Sequence, residues 1–387
     1  MVRRAGDGAL ALGERSRRSM QTRSTRTFED FLAGRPAGLD VVRLVLAFLV
    51  LVSHTWTLGG FGAEPSSPLS WNFLTLGGFA VGGFFALSGL LVGRSALRRP
   101  SATFARSRAV RILPAYWTAL VVSAFGAGLL GWVHDHGFGR YFSFGENGPF
   151  AYIGRAALLP IEFSHGIRDV FASSTPYGRA SNPPTSWING SLWTLPYELR
   201  CYLIVGLIAV AARRWGGRTT VSIGWAITAV LAAGFHWAPT QTAFVVGPYL
   251  DAKLVELAFV FLTGTLVAVF ADRIPLVGPW TVVALAIALV AGHRSLFFAE
   301  HVSEAMLVLL LPPIAAALAP VAGWLRGVDV SYGLYLFAWP VQQLVAMYGW
   351  AGSPWTSIAI ATPITLALAF ASWHWIESPL MRRWRPR

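Results

Sequence analysis

Apolar runs of about twenty residues, separated by short polar stretches, recur along almost the whole chain. A helical run of this length matches the thickness of the hydrocarbon core of a bilayer. The pattern therefore predicts an all-α polytopic membrane protein with about ten transmembrane helices. The ten predicted spans are residues 39–59, 72–93, 112–132, 191–212, 219–236, 253–271, 277–292, 303–323, 329–348 and 355–375.

Composition and charge agree with this class of protein. Hydrophobic residues make up 55% of the chain and charged residues 13%, which is about half the charged share of a soluble domain. The net charge of +13 could indicate a nucleic-acid partner, but the arginines cluster between apolar runs, so we predict no such partner. Ten spans and a cytoplasmic N-terminus place every basic stretch, and the C-terminus, in the cytoplasm. The basic stretches are the N-terminus, Arg94–Arg111, Arg213–Arg218, Arg326 and Arg382–Arg387.

The chain is predicted to hold one membrane domain with polar ends. Residues 1–35 are polar and rich in arginine, and we expect a disordered cytoplasmic segment whose true start is either Met1 or Met20. Residues 36–381 form the membrane domain, and residues 382–387 form a basic cytoplasmic tail.

Two further features of the sequence bear on whether the protein binds a metal or forms a disulfide. Residues 133–190 are the longest stretch between spans, and we expect an irregular extracytoplasmic loop there. This loop carries His134 and His136 on either side of Asp135, which is a weak pattern for a metal site. Cys201 is the single cysteine, so the chain forms no intrachain disulfide and no thiolate metal cluster. We predict no metal.

Arg43 and His54 are titratable residues inside the first span. A charged side chain inside a bilayer costs roughly 2.5–3.5 kcal/mol on insertion scales, so each needs a reason. Eleven residues are about three helical turns, which places both side chains near one face with a rise of about 16 Å. His54 is either a buried histidine bonded to a carbonyl or a group that takes a proton from a hydroxyl. Arg43 either serves the same site or reaches the interface from a helix end.

A cluster of arginines, in the stretch ARSRAVRILPAYW, precedes the third span. Arg108 and Arg111 are three residues apart and project together on a helix. Two guanidinium groups suit a phosphate, to which they donate bidentate hydrogen bonds. Basic residues that merely flank a span on its cytoplasmic side would give the same pattern.

Two other polar features stand in apolar surroundings. Glu198 lies at the start of the fourth span, where it either pairs with Arg200 or takes part in a site with His54 or another arginine. Ser88 lies in a glycine-rich stretch of the second span, GGFAVGGFFALSGLLVG, whose glycines suit close helix packing.

Taken in order, these motifs resemble one family. The order is an arginine and a histidine eleven residues apart, then FFALSG, Arg-x-x-Arg-I-x-P, SLWTLPYE, SYGLYLFAWP and a late IESP. The set covers about residues 36–381 and resembles the bacterial membrane acyltransferase-3 family. Those O-acyltransferases modify surface polysaccharides, peptidoglycan and some small molecules.

The resemblance implies roles for individual residues. His54 matches the histidine taken as the catalytic base, and Glu198 matches the glutamate of a motif in which Thr194 replaces a serine. Arg108 and Arg111 match the Arg-x-x-Arg pair that is associated with the acyl donor. Arg43 matches the basic residue that precedes the histidine, and Ser88 matches the serine of the FFxxSG motif. We expect all four to bind the donor. One position departs from the family pattern, because Ala338 stands where many members have a second histidine. A mechanism for this chain therefore relies on His54 alone.

From these observations we expect an O-acyltransferase of the bacterial cytoplasmic (inner) membrane. It would transfer an acyl group, expected to be acetyl, from cytoplasmic acyl-CoA to a hydroxyl of an envelope or exported glycan, with His54 as general base. Acyl-CoA would act as a co-substrate, and a lipid-linked precursor or a small molecule could replace the glycan as acceptor. The residues expected to contact the acceptor are Trp193, Tyr197, Tyr335 and Gln342. The alternative is a transporter or flippase that uses the same buried charges as a substrate pathway.

Overall fold

The structure is a computed structural model that describes residues 27–34, 37–64, 75–142, 144–157, 166–247, 250–294, 297–320, 322–325 and 327–384. The described residues form helices and no strand, apart from one isolated bridge between Thr27 and Pro275. The predicted all-α fold is therefore confirmed. Both candidate start residues, Arg326 and residues 385–387 of the tail lie outside the described residues.

The chain contributes sixteen α-helices within the described ranges, and short wider or tighter turns extend several of them. In chain order the helices are α1 (Phe28–Gly34), α2 (Gly38–Gly59), α3 (Leu76–Arg98), α4 (Ser101–Val121), α5 (Leu129–His136), α6 (Pro149–Ala156), α7 (Pro176–Arg179), α8 (Leu195–Trp215), α9 (Gly217–Trp237), α10 (Pro239–Val246), α11 (Ala252–Val269), α12 (Pro279–Arg294), α13 (Glu304–Leu318), α14 (Ser331–Met347), α15 (Pro354–Ser372) and α16 (Ser378–Arg383). The π-helical turns are Val122–Gly128, Phe298–Ser303 and Trp373–Glu377, and the 3₁₀ turns are Gly190–Thr194 and Ala322–Leu325.

Every predicted span coincides with a helix. Eight helical stretches within the described ranges are long and apolar enough to cross a membrane. These stretches are Gly38–Gly59, Leu76–Arg98, Ser101–His136, Gly190–Trp215, Gly217–Trp237, Ala252–Val269, Glu300–Leu318 and Pro354–Arg383. The other two predicted spans fall on α12, with 16 residues, and α14, with 17 residues.

The third span begins earlier than its hydropathy indicated. We predicted a start at residue 112, whereas α4 begins at Ser101. The first turns of α4 carry arginines, so their mean hydropathy is low although their backbone is helical. Arg108 and Arg111 therefore lie within a helix and do not belong to a preceding loop.

Helix α3 lies at the centre of the bundle, where glycines allow neighbouring backbones to approach. A Cβ atom on Gly89 would lie 1.8 Å from the carbonyl oxygen of Phe261, and one on Gly264 would lie 2.3 Å from that of Ala86. The hydroxyl of Thr265 also donates to the carbonyl of Gly89 at 3.0 Å. Small residues of this kind permit close packing of α3 on α11 without a clash.

Helix α1 packs against the membrane domain. Phe28 and Phe31 are fully buried, and the backbone N–H of Phe28 donates to the carbonyl of Ile274 at 2.9 Å. Glu29 pairs with Arg94 and Arg98 of α3. The folded unit therefore includes residues 28–34, ahead of the predicted domain start at residue 36.

Candidate active site

Two adjacent cavities lie between α2, α3, α4, α8 and α14. The larger, which we call the arginine chamber, holds about 250 Å³, and its polar lining includes Arg43, Arg108 and Arg111. The smaller, which we call the aromatic chamber, holds about 60 Å³. The residues that line both chambers are Arg43, Phe84, Ser88, Glu198 and Tyr332. This shared wall places the two chambers side by side.

Two of the arginines are held by one carboxylate, that of Asp329. Arg43 donates from Nη1 to Oδ2 of Asp329 at 2.8 Å, and Arg111 donates from Nη2 to the same oxygen at 2.5 Å. The hydroxyl of Ser331, at the start of α14, donates to the other oxygen at 2.5 Å. Asp329 thus joins α2 and α4 to the start of α14.

The charge state of Asp329 follows from this arrangement. The side chain is only 13% exposed, and burial alone would raise the pKa of the carboxyl group. The guanidinium groups of Arg111 and Arg43 outweigh burial and lower the pKa of Asp329 from 3.8 to about 2. The carboxylate is therefore ionised at neutral pH.

A second carboxylate stands beside Arg111. Nη1 of Arg111 lies 3.6 Å from Oε2 of Glu377, whose other oxygen accepts a hydrogen bond from Ser372 at 2.9 Å. Glu377 belongs to the IESP motif and lies in the π turn that follows α15. This turn places Glu377 beside Arg111, which lines the arginine chamber.

Arg108 differs from the other two arginines. Its Nε donates to the hydroxyl of Ser107 at 3.3 Å, and it pairs with no carboxylate in the described part of the chain. Its side chain lines the arginine chamber directly. A guanidinium with open donors in a cavity is a ready partner for an anionic group.

Glu198 lies in the first turn of α8 and lines both chambers. It accepts a hydrogen bond from the hydroxyl of Tyr202, one turn later. Pro196 occupies the first turn as well, where its missing N–H costs no intrahelical hydrogen bond. Arg200, the alternative partner for Glu198, instead lies 3.4 Å from Asp251.

His54 lies near the far end of α2, and the residues that line the two chambers, as far as the structure describes them, do not include it. Its ring meets that of Trp339 edge to face, with 4.8 Å between centroids. Its Nδ1 is buried, and no hydrogen-bond partner for it exists among the described residues. Leaving a buried polar atom unpaired costs about 1–3 kcal/mol.

Trp339, whose ring meets that of His54, is itself held in place by two contacts. The indole N–H of Trp339 donates to the carbonyl of Trp187 at 3.0 Å, and a Cβ on Gly190 would lie 2.7 Å from the indole ring. Tyr335, which lines the aromatic chamber, precedes Trp339 by one helical turn on the same face of α14. The imidazole therefore lies about one turn beyond the end of the aromatic chamber.

The residues predicted to contact the acceptor occupy three different places. Tyr335 lines the aromatic chamber, where its hydroxyl is 2.8 Å from that of Thr194. Gln342 is buried and donates to the carbonyl of Leu51 at 2.8 Å, and its Oε1 has no partner within the described ranges.

Trp193 and Tyr197 contact each other away from these chambers. Their ring centroids are 5.8 Å apart, and Nζ of Lys253 lies 5.9 Å from the centroid of Trp193. Neither residue belongs to the lining of the arginine or aromatic chamber, within the part of the chain that the structure describes.

No sequence pattern indicated Asp329 as a site residue. The residue precedes an apolar run in VDVSYG, where a lone acid resembles an ordinary helix start. The available signal was the excess of arginines on one side of the predicted membrane, since buried cations require carboxylate partners.

The fold and the cavity define the class of this protein. It is a polytopic helical membrane protein with a buried cationic cavity. The acyltransferase domain of the acyltransferase-3 family matches residues 37–374, and the chain is a member of that family. The resemblance in the sequence is thereby confirmed, and the protein is a membrane acyltransferase.

Two relatives are similar over almost their whole length. A protein named O-acetyl transferase, from Shigella phage Sf6, is 30% identical over 357 residues, which cover 90% of this chain and 97% of that protein. Nodulation protein 10 of Rhizobium leguminosarum bv. viciae is 29% identical over 371 residues, which cover 90% of this chain and 94% of that protein. No solved structure matches the chain.

Proposed function

We propose that the protein transfers an acetyl group from cytoplasmic acyl-CoA to a hydroxyl of an envelope or exported glycan, in the bacterial cytoplasmic membrane. The observation that supports this function best is the pair of adjoining chambers between Arg108 and the helix turn that carries Tyr335, one turn before the Trp339 that contacts His54. The name of the phage relative, O-acetyl transferase, supports acetyl as the group transferred.

The arginine chamber is the proposed entrance for the donor. Arg108 has open guanidinium donors and would bind a phosphate of the CoA moiety. Arg43 and Arg111 are paired with Asp329, and we propose that they keep the local potential positive and hold the shape of the chamber. Ser88 and Glu198 line the passage to the aromatic chamber and would orient the thioester as it passes.

The proposed chemistry takes place at the outer end of this route. The imidazole of His54 accepts the proton of the acceptor hydroxyl while the hydroxyl oxygen attacks the thioester carbonyl carbon. A C–O bond forms, the C–S bond breaks, and the proton passes from the imidazole to the departing CoA thiolate. The products are an ester and a free thiol. The buried setting limits hydrolysis because it excludes water.

The test is acyl transfer with labelled acetyl-CoA in vesicles that contain the protein and extracted envelope glycan. We expect wild-type protein to release CoA thiol and to label the glycan. His54→Ala should lower the rate by at least about 100-fold, the lower range for a general base. His374→Ala serves as the matched control, since His374 is exposed at the other end of the chain and its Nδ1 contacts the carbonyl of Phe370.

Two results would contradict the proposal. Wild-type activity in His54→Ala would exclude this histidine as the base. Substrate flux across the vesicle membrane without any thiol release would favour the transporter alternative.

A further inference from the structure

The aromatic chamber has walls that differ in chemistry from those of the arginine chamber. The residues found only in its lining are Val81, Phe85, Thr194, Leu195 and Tyr335. Each is at most 9% exposed, and none carries a charge at neutral pH. Arg43 and Glu198 complete the lining on the side shared with the arginine chamber. The side away from that shared wall suits a hydrocarbon group better than a phosphate or a sugar.

We propose that the aromatic chamber binds the acyl group of the donor and that its size restricts the enzyme to short acyl chains. This inference rests on the proposed function and adds a residue-level basis for the choice of donor. The position of the chamber supports it. The chamber adjoins the arginine chamber and ends about one helical turn before His54, so an acyl group held in it keeps its thioester carbonyl close to the imidazole.

The volume sets the limit on chain length. At about 60 Å³, the aromatic chamber has roughly a quarter of the volume of the arginine chamber. An acetyl or propionyl group therefore suits it better than a hexanoyl chain, which has at least twice as many carbon atoms.

The walls are held by contacts that resist displacement. The hydroxyls of Thr194 and Tyr335 are 2.8 Å apart and tie the start of α8 to α14. The ring of Phe84 meets that of Tyr335 edge to face, with 6.0 Å between centroids. Phe85 is 4% exposed on α3, the central helix of the bundle. Packed interiors of this kind do not expand continuously to fit a larger group.

Two substitutions change the chamber in opposite directions. Phe85→Ala removes a ring from the wall and should admit longer chains, whereas Val81→Leu adds a methylene group and should narrow the chamber. The readout is kcat/KM for thiol release from acetyl-CoA, butyryl-CoA and hexanoyl-CoA, with envelope glycan present. The ratio of the kcat/KM values for two donors does not depend on the amount of folded protein.

We expect wild-type protein to prefer acetyl-CoA over hexanoyl-CoA by at least about tenfold. Phe85→Ala should lower that preference by at least about tenfold, and Val81→Leu should reduce the use of butyryl-CoA relative to acetyl-CoA by about tenfold. Phe337→Ala is the matched control, because Phe337 is 1% exposed in α14 and lines neither chamber. That variant should leave the ratios between donors unchanged.

Equal use of acetyl-CoA and hexanoyl-CoA by the wild-type protein would overturn the inference and leave the acyltransferase function intact. Unchanged ratios in both Phe85→Ala and Val81→Leu would overturn it as well. Release of thiol from none of the three donors by the wild-type protein would instead overturn the proposed function, and the acyl pocket with it.

Discussion

At the scale of single residues, two arginines three positions apart have different surroundings. Asp329 and Glu377 stand beside Arg111, whereas Arg108 faces the arginine chamber without a carboxylate partner in the described ranges. The first therefore contributes to the fold, and the second is available to a ligand. The spacing of the Arg-x-x-Arg motif does not reveal this difference in role, because both arginines project from the same face of α4.

The first prediction separates these two roles. Arg108→Gln should raise KM for acetyl-CoA by at least about tenfold and leave the melting temperature in detergent unchanged, because no ion pair is lost. Arg111→Gln should destabilise the fold by about 3 kcal/mol, because removing one partner leaves a buried carboxylate with less compensation. Thermal unfolding and donor kinetics on both purified variants measure the difference.

Arg108→Lys is the conservative control for that experiment. A lysine keeps the charge but loses the planar fork, so KM should fall between the wild-type value and that of Arg108→Gln. Equal losses of stability in Arg108→Gln and Arg111→Gln would contradict the division of roles.

The second prediction concerns pH and Asp329. Its pKa is lowered from 3.8 to about 2 in the folded protein, against burial and because of Arg111 and Arg43. A carboxyl group with a lowered pKa stabilises the fold fully above the unfolded value, and this contribution is lost as the pH falls from about 4 toward 2. Asp329→Asn mimics the protonated group and should lack this part of the pH dependence.

The measurement is the melting temperature in detergent between pH 6 and pH 2. Wild-type protein should be more stable than Asp329→Asn at pH 6, and the difference should shrink below pH 4. Asp169→Asn is the control, since the side chain of Asp169 is 56% exposed and pairs with His136. A difference that stays constant down to pH 2 would show that Asp329 is not held by the two arginines.

At the scale of helices, the interface between α3 and α11 leaves no room for a methyl group at Gly89. We predict that Gly89→Ala displaces the two helices, since the new Cβ would lie 1.8 Å from a backbone carbonyl. Overpacking typically costs about 1–3 kcal/mol, and contact with backbone, which cannot rotate away, favours the upper end of that range. Donor affinity should fall too, because Ser88 and Phe84 belong to the same helix and line both chambers.

Gly206→Ala tests whether the effect is specific to that interface. A Cβ on Gly206 would come no closer than 3.7 Å to Phe104, so alanine should be tolerated in α8. It should stabilise the helix by about 0.5–1 kcal/mol through its higher helix propensity. Equal melting temperatures for Gly89→Ala and the wild type would contradict the close approach of α3 and α11.

The helices themselves could be predicted from the sequence, whereas some of their ends could not. Hydropathy located all ten spans because the requirement to bury apolar surface in lipid is local to each run. It missed the first turns of α4, where arginines lower the mean hydropathy. It also missed α1, because Phe28 and Phe31 form too short a pattern to stand out from a polar segment.

The candidate site, like the helices, could be predicted from the sequence only in part. Family motifs identified Arg43, Ser88 and Glu198, which the structure brings to one cavity. The contact between Arg43 and Asp329 spans 286 positions of the chain and follows only from the packing of helices. The position of Trp193 beside Lys253 depends on the 3₁₀ turn before α8, to which Trp193 belongs and which no residue pattern indicated.

At the scale of the whole molecule, the orientation in the membrane stays a prediction, and the single cysteine makes it measurable. Cys201 is buried, so a membrane-impermeant maleimide should not label the wild-type protein in intact cells. Ala102→Cys, at the exposed start of α4, should be labelled only after cells are opened. Gly139→Cys, where a Cβ would meet open space, should be labelled from outside.

Labelling of Ala102→Cys in intact cells would invert the orientation. The donor would then have to approach the arginine chamber from outside, which would contradict the proposed use of cytoplasmic acyl-CoA. Labelling after denaturation provides the control, since it shows that each variant carries a reactive thiol at equal amounts.

The arginine chamber and His54 lie at different depths, with a rise of about 16 Å along α2 between Arg43 and His54. With the proposed orientation, the two products would leave on opposite sides of the bilayer. The free thiol would return to the cytosol, and the ester would remain outside. Since the reverse reaction needs both at one site, the bilayer itself would make each turnover a one-way step, and the cell would modify its exterior without exporting its acyl carrier.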